Sequence, residues 1–295
     1  MKTPSSIVAP LLAGALGCAS IAAPAAQEGA EAARAAPAAA ALVVQVDHVV
    51  PEYKGGDKFR SPPTIDSALA EDLARRLQLP LRTIPAAAPV QVAAVATVSP
   101  AGSGTAGVVA GQDVAPAATA GDLRLTALRD LADVPQQLAV VPIDYRAVPM
   151  AIMRTDTDIR RWEHLQGRKV CVAAGGNHVG TLAGRYGAVE QVHPSTTDAL
   201  VALRVGGCDA MVHDSTMLEE LIRYPEWKKF SARLRGNQRS TLAFLVAAQD
   251  QSRVQALRRI AFEWDAGGYP EQLVKKTVRD IAFEVYLEQD VPDCH

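Results

Sequence analysis

An α/β fold with a parallel sheet is predicted by three strand-to-helix steps that follow one another between Arg168 and Asp214. Residues 168–174 form an apolar run that gives way to Gly175-Gly176-Asn177 and a helical stretch over 178–186. Residues 189–192 lead to Ser195 and a helix reaching Val205. Residues 209–213 end at Asp214, which opens a further helix. A β-α-β-α-β series of this kind gives parallel strands with ligands gathered at their carboxyl ends. A Gly-Gly-Asn turn and an aspartate stand at those ends, a pairing suited to the two charges of a small zwitterion.

The same stretch resembles the second lobe of bacterial extracellular solute-binding proteins of the amino-acid type, which serve ABC importers. That family pairs a segment sL-x-G-K-x-V-x-V-x-x-G with a later G-x-x-D-A-x-x-x-D. The corresponding residues are HLQGRKVCVAAG from His164 to Gly175 and GGCDAMVHD from Gly206 to Asp214. The resemblance implies a two-lobed type II periplasmic-binding-protein fold, with lobe two inserted into lobe one. It also implies a small polar ligand held between the lobes by hinge closure and an inner-membrane ABC permease as partner.

The front of the chain predicts export. Lys2 precedes an apolar run over 7–17, then small residues, so 1–26 reads as a signal peptide too short to span a bilayer. Periplasmic localisation follows. Cys18 sits in a poor lipoprotein box, and a lipid-anchored form is the lesser reading. Residues 27–41 are an Ala-rich spacer with little bulk to bury. A net charge of −2 without basic clusters speaks against a nucleic-acid partner. The mature protein is expected to be a monomer.

A strand over 42–46 is followed by a loop carrying Tyr53. A helix over 66–77 then presents Ile65, Leu69, Leu73 and Leu77 as one core-facing stripe. Pro80 stops it, and 81–84 is the second strand. Residues 85–121 hold Ala, Val, Pro, Gly, Ser and Thr with hardly a charge and read as a low-complexity insertion. Strands follow over 122–128 and 138–141, the latter running into Pro142-Ile143-Asp144-Tyr145. By the resemblance this is the crossover into lobe two, and 241–247 is the return. Lobe one is thus 42–141 plus 242–295, and lobe two is 142–241. Val254, Leu257, Ala261 and Trp264 have helical spacing, with Asp250 or Ser252 as cap and Gly267-Gly268 as stop. A last helix starts at Tyr269-Pro270-Glu271, with proline in the favoured first turn.

In the family the turn matching Gly175, Gly176 and Asn177 binds the ligand's α-carboxylate. Amides at a helix start suit that role, and a plain β-to-α turn is the alternative. The aspartate matching Asp214 takes the α-ammonium, against the alternative of a helix cap. Tyr53 matches a ligand-facing aromatic, or packs locally. The family's T-x-x-R signature, counted back from Tyr145, falls near Val134-Pro135 and lacks its arginine, leaving Arg129 as a substitute. Ser195 and Asp198 form a capping box.

Cys171 and Cys208 fall on the first and third strands of the β-α-β-α-β series, which lie side by side. A disulfide between them is expected, with two separate buried thiols as the alternative. Cys294 is the odd cysteine. No metal-ligand or nucleophile motif occurs, and His178, His193 and His213 are scattered over separate elements. A binding protein without cofactor or metal is predicted rather than an enzyme. A sensory partner domain and a lyase on the same scaffold remain as alternatives.

Overall fold

The computed structural model describes residues 41–48, 64–86, 122–131 and 134–288. The signal, nearly all of the spacer, Tyr53, Cys294 and 87–121 of the insertion lie outside them. Sixteen principal elements follow in chain order: β1 (Leu42–Val46), α1 (Ile65–Leu77), β2 (Leu81–Pro85), β3 (Leu123–Leu128), β4 (Leu138–Ala147), β5 (Pro149–Met153), β6 (Lys169–Ala173), α2 (Thr181–Tyr186), β7 (Val189–His193), α3 (Thr196–Arg204), β8 (Ala210–Asp214), α4 (Ser215–Leu221), β9 (Ala232–Arg235), β10 (Ser240–Ala247), α5 (Gln251–Ala266) and α6 (Tyr269–Leu287).

The strands divide into two sheets, ordered β2-β1-β3-β10-β4 and β7-β6-β8-β5-β9. In the first, β1 runs parallel to β2 and β3, while β10 is antiparallel to β3 and β4. In the second, β6 runs parallel to β7 and β8, and β5 is antiparallel to β8 and β9. The chain leaves the first sheet at the end of β4, builds the whole second sheet, and re-enters through β10. Lobe two is therefore inserted into lobe one, and β4 and β10, paired from Ser240 opposite Ala147 onward, carry both crossings.

Local chemistry explains the elements. Thr64 caps α1 by accepting from the Ser67 amide, and Ile65, Leu69 and Leu73 bury the predicted stripe. The helix ends where Gln78 takes a left-handed φ of 57°, ahead of Pro80. Asp72, on the buried side of α1, accepts from Trp264 Nε1 at 2.7 Å and from Arg75 and Arg76, locking α1 onto α5. Leu42, Val44 and Val46 alternate into the core from β1, whereas 170–173 of β6 are buried throughout, as befits a strand covered on both faces. Asp250 caps α5 through the Arg253 amide. The last helix, α6, packs against α1 and α5 and also against α3 and α4. Thr197 of α3 donates to the Glu284 carboxylate of α6 at 3.1 Å.

One local expectation is corrected. The stretch after β6 does not enter a helix at Gly175-Gly176-Asn177. It makes a series of turns, and α2 begins only at Thr181. Gly175 and Gly180 both hold positive φ, 77° and 78°, which breaks helical continuity. The free amides of Gly180, Leu182 and Ala183 are then taken by the Glu190 carboxylate of β7.

Candidate functional site

The carboxyl ends of β1, β6 and β8 converge where the two lobes meet. β1 runs out into Asp47 and His48, β6 into the glycine turn, and β8 ends on Asp214. The approach is close: a Cβ on Gly175 would lie 1.8 Å from the Asp47 carbonyl oxygen, and one on Gly176 would lie 2.9 Å from His48 Nε2. Only glycine lets the lobes touch at that point.

His48 is fixed from lobe one. Its Nδ1 and its backbone amide both lie 3.0 Å from Asp66 Oδ2. Burial alone would depress the imidazole. The Asp66 charge and hydrogen bond, with Asp214 and Asp47 beyond, outweigh that and push it up to about 9. From lobe two, the His213 ring stacks on His48 with centroids 5.8 Å apart and an interplanar angle of 24°. Its Nδ1 accepts the Asp214 amide at 2.7 Å, which leaves Nε2 as the protonated nitrogen facing Thr196 Oγ1 at 3.2 Å. Burial depresses His213 to about 4, and the nearby His48 and His178 act in the same direction against Asp214 and Asp66.

Asp214 occupies the cap position of α4, yet its carboxylate makes no cap bond. It turns into the junction instead. Tyr145 of β4 donates to Oδ2 at 2.9 Å, and His178 Nε2 donates to Oδ1 at 3.1 Å. Burial would raise this carboxyl, but the His178 hydrogen bond, the charges of His213 and His178, and the Tyr145 hydroxyl hold it well below the usual carboxylate range. Burial and the adjacent Asp214 keep the Tyr145 phenol protonated, its pKa well above the ordinary value. Asp47 is raised by burial despite accepting from Thr126 Oγ1 at 2.6 Å.

Together these groups enclose a cavity of about 60 Å³, lined by Asp47, Asp66 and Asp214 with His48, His213 and Tyr145. Asn177 also lines it, and among the described residues no lysine or arginine does. Beyond His178 opens a larger groove of about 450 Å³. Arg129, Arg185 and the stacked pair Trp162–Tyr186, 5.3 Å between centroids, line its walls. His178 belongs to both spaces, since it lines the groove while bonding Asp214 inside.

The predicted residues are therefore distributed unevenly. Asp214 and Asn177 face the inner cavity, Gly175 and Gly176 form the lobe contact, and Arg129 lies at the outer groove. Cys171 and Cys208 are disulfide-bonded, with Cα atoms 5.8 Å apart. Sequence reasoning passed over Asp47, His48 and Tyr145. The signal for the first two was present, because Asp47-His48 follow an apolar strand just as Asp214 ends one. The T-x-x-R spacing also occurs as Thr126-Ala127-Leu128-Arg129.

No family model matches the chain, and no curated protein matches it. Solved structures do. An ancestral cationic amino acid solute binding protein is 16% identical with a TM-score of 0.51, covering 81% of this chain and 95% of that one. AbpA from Streptococcus pneumoniae, an amino acid ABC transporter substrate-binding protein bound to L-arginine, is 15% identical with a TM-score of 0.50, covering 82% and 95%. The GluR0 ligand binding core in complex with L-glutamate is 12% identical with a TM-score of 0.50, covering 81% and 99%. This likeness establishes the fold class: a two-lobed α/β chain of the type II periplasmic-binding-protein kind.

Proposed function

We propose that the chain is an exported solute-binding protein. In this reading it captures a small, amine-bearing polar ligand between its lobes and delivers it to an ABC permease in the inner membrane. The observation that carries the proposal is Asp214. It is an ionised carboxylate, 16% exposed, held by Tyr145 from β4 of the first sheet and by His178 after β6 of the second, and by no lysine or arginine among the described residues. A ligand ammonium replaces one of those donors with a charge-assisted bond, worth about 1.5–3 kcal/mol. Asp66 is paired with the His48 imidazolium, and Asp47 is a further carboxyl in the same cavity.

In this reading Asn177 and the amides of Gly175 and Gly176 take the ligand's anionic end once the lobes part, and Tyr53 packs on the ligand. Arg129 supplies a guanidinium at the mouth of the groove. The fold neighbours named above, described with cationic amino acids, L-arginine and L-glutamate, support an amino-acid-like ligand. They also support binding rather than catalysis. No described helix is long and apolar enough to cross a membrane, and the leader over 1–26 supports the periplasm.

A thermal-shift screen of the mature protein against amino acids, polyamines and small organic acids tests the proposal. A ligand specific to the folded state adds about 2.7 kcal/mol of stability at a hundred times its Kd. Amine-bearing ligands are expected to raise the melting temperature, and acids without an amine to leave it unchanged. The reverse pattern, or no response at millimolar concentrations, would overturn it.

A further inference from the structure

Within the second sheet, Cys171 of β6, Cys208 before β8 and His193 at the end of β7 form a compact ligand set. One ligand atom from each, the two Sγ and an imidazole nitrogen, all lie within 4.8 Å of one another. The two cysteines are bridged, and each sulfur has a polar neighbour. His193 Nε2 is 3.1 Å from Cys171 Sγ, and Gln191 Oε1 is 3.3 Å from Cys208 Sγ. An imidazole beside a sulfur accepts a thiol proton or steadies a thiolate.

The placement follows from the sheet. Cys171 pairs in register with Gln191 on β7, and His193 lies two residues further along that edge strand. Both sulfurs are buried in a core shared with Ala199, Leu200 and Leu203 of α3, while Gln191 and His193 are half-buried. Two thiolates and an imidazole are a donor set for thiophilic d10 cations, at about 2.3 Å to sulfur and about 2.0 Å to nitrogen. Tetrahedral ligands at those lengths stand about 3.5 Å apart. Once the S–S bond is broken, small side-chain rotations bring the atoms to that spacing.

We propose that the dithiol form of this cluster binds one thiophilic cation, Zn²⁺ in the first instance, through Cys171, Cys208 and His193. Gln191 or a water fills the fourth position, and the disulfide is the metal-free state of the same site. The chemistry balances with a dithiol reductant. Its thiolate attacks one sulfur to give a mixed disulfide, and its second thiol resolves this. The reductant leaves as a disulfide and the chain keeps two thiols, having gained two electrons and two protons. Zn²⁺ displaces both thiol protons, and His193 binds as the neutral imidazole. A disulfide oxidant reverses the sequence and releases the ion.

The test uses the full chain with Cys18→Ser and Cys294→Ser, which leaves only these two cysteines of the four. Protein reduced anaerobically with a phosphine, and its oxidised counterpart, are titrated with Zn²⁺ against a chromophoric chelator. Co²⁺ serves as the spectroscopic probe. One Zn²⁺ per reduced chain is expected, none per oxidised chain, and a thiolate-to-Co²⁺ charge-transfer band. His193→Ala, on a half-buried position of an edge strand, should weaken the reduced form's affinity at least tenfold. Adding Cys171→Ser with Cys208→Ser should abolish binding. If reduction unfolds the chain, Zn²⁺ is expected to restore its far-UV circular dichroism. A reduced chain that takes up no Zn²⁺, binds it equally after His193→Ala, or is not refolded by it overturns the proposal.

Discussion

Replacing His48 by glutamine removes the charge that lobe one places in the junction, and its effect depends on pH in a defined way. His48 faces Asp66 at 3.0 Å, His213 in a stack, and Asp47 and Asp214 nearby. Its side chain is 19% exposed, so solvent screens the interaction only in part. The folded imidazole titrates at about 9 against 6.5 in the unfolded chain. Between those values the folded state holds the extra proton. The contribution to stability is therefore complete below 6.5 and is lost as pH rises through about 9. The step, at about 1.36 kcal/mol per pH unit, amounts to about 3 kcal/mol. Urea unfolding followed by far-UV circular dichroism from pH 5.5 to 9.5 measures it. With a slope of about 3 kcal/mol/M, the midpoint difference between wild type and His48→Gln should shrink by about 1 M from pH 5.5 to pH 9.5. A difference that stays constant within about 0.5 kcal/mol across that range, about a measurement's uncertainty, would refute the electrostatic account.

Three further outcomes are expected. Gly175→Ala puts a Cβ 1.8 Å from the Asp47 carbonyl at a φ of 77°, so the lobes must separate there. Small-angle scattering should show a larger radius of gyration, with about 1–3 kcal/mol lost in stability. Asp72→Ala strands the Trp264 indole N–H in the core and removes the partners of Arg75 and Arg76. Chemical denaturation should show a loss of about 2–3 kcal/mol. Burial pushes the Glu284 carboxyl up to about 7, in spite of the Thr197 hydroxyl that favours its charged form. Its favourable contribution is present below 4.5 and lost as pH rises through 7, so Glu284→Gln should melt higher than wild type above pH 7. Melting curves at pH 5 and pH 8 separate that from a pH-independent packing effect.

The architecture was legible because its signals are periodic. The Ile65-Leu69-Leu73 stripe, the three strand-to-helix steps and the apolar run over 241–247 each report burial directly through their spacing. The chemistry of the junction was less so. Asp214 could be placed at a strand end, but its partners could not, because Tyr145 lies 69 residues away and reaches it only through lobe packing. The glycine turn looked like a helix start because Gly-Gly-Asn before an apolar stretch fits that pattern. What decides otherwise is the backbone: Gly175 and Gly180 take φ of 77° and 78°, and Glu190 of β7 accepts the amides of the helix that starts only at Thr181. The place of His48 after an apolar strand was a signal of the same kind as that of Asp214, but its partners were not legible, since His213 and the glycine contact come from the opposing lobe.

The most direct test of the account is calorimetric binding of an amine-bearing ligand, found by thermal shift, to wild type and to Asp214→Asn. The substitution keeps the side-chain shape and removes the charge that receives the ammonium. The account predicts a loss of about 1.5–3 kcal/mol, or roughly 10- to 150-fold in Kd, with an intact fold by circular dichroism. Equal affinity in the two proteins would show that Asp214 serves only the internal contacts with Tyr145 and His178, and the ligand assignment would fall.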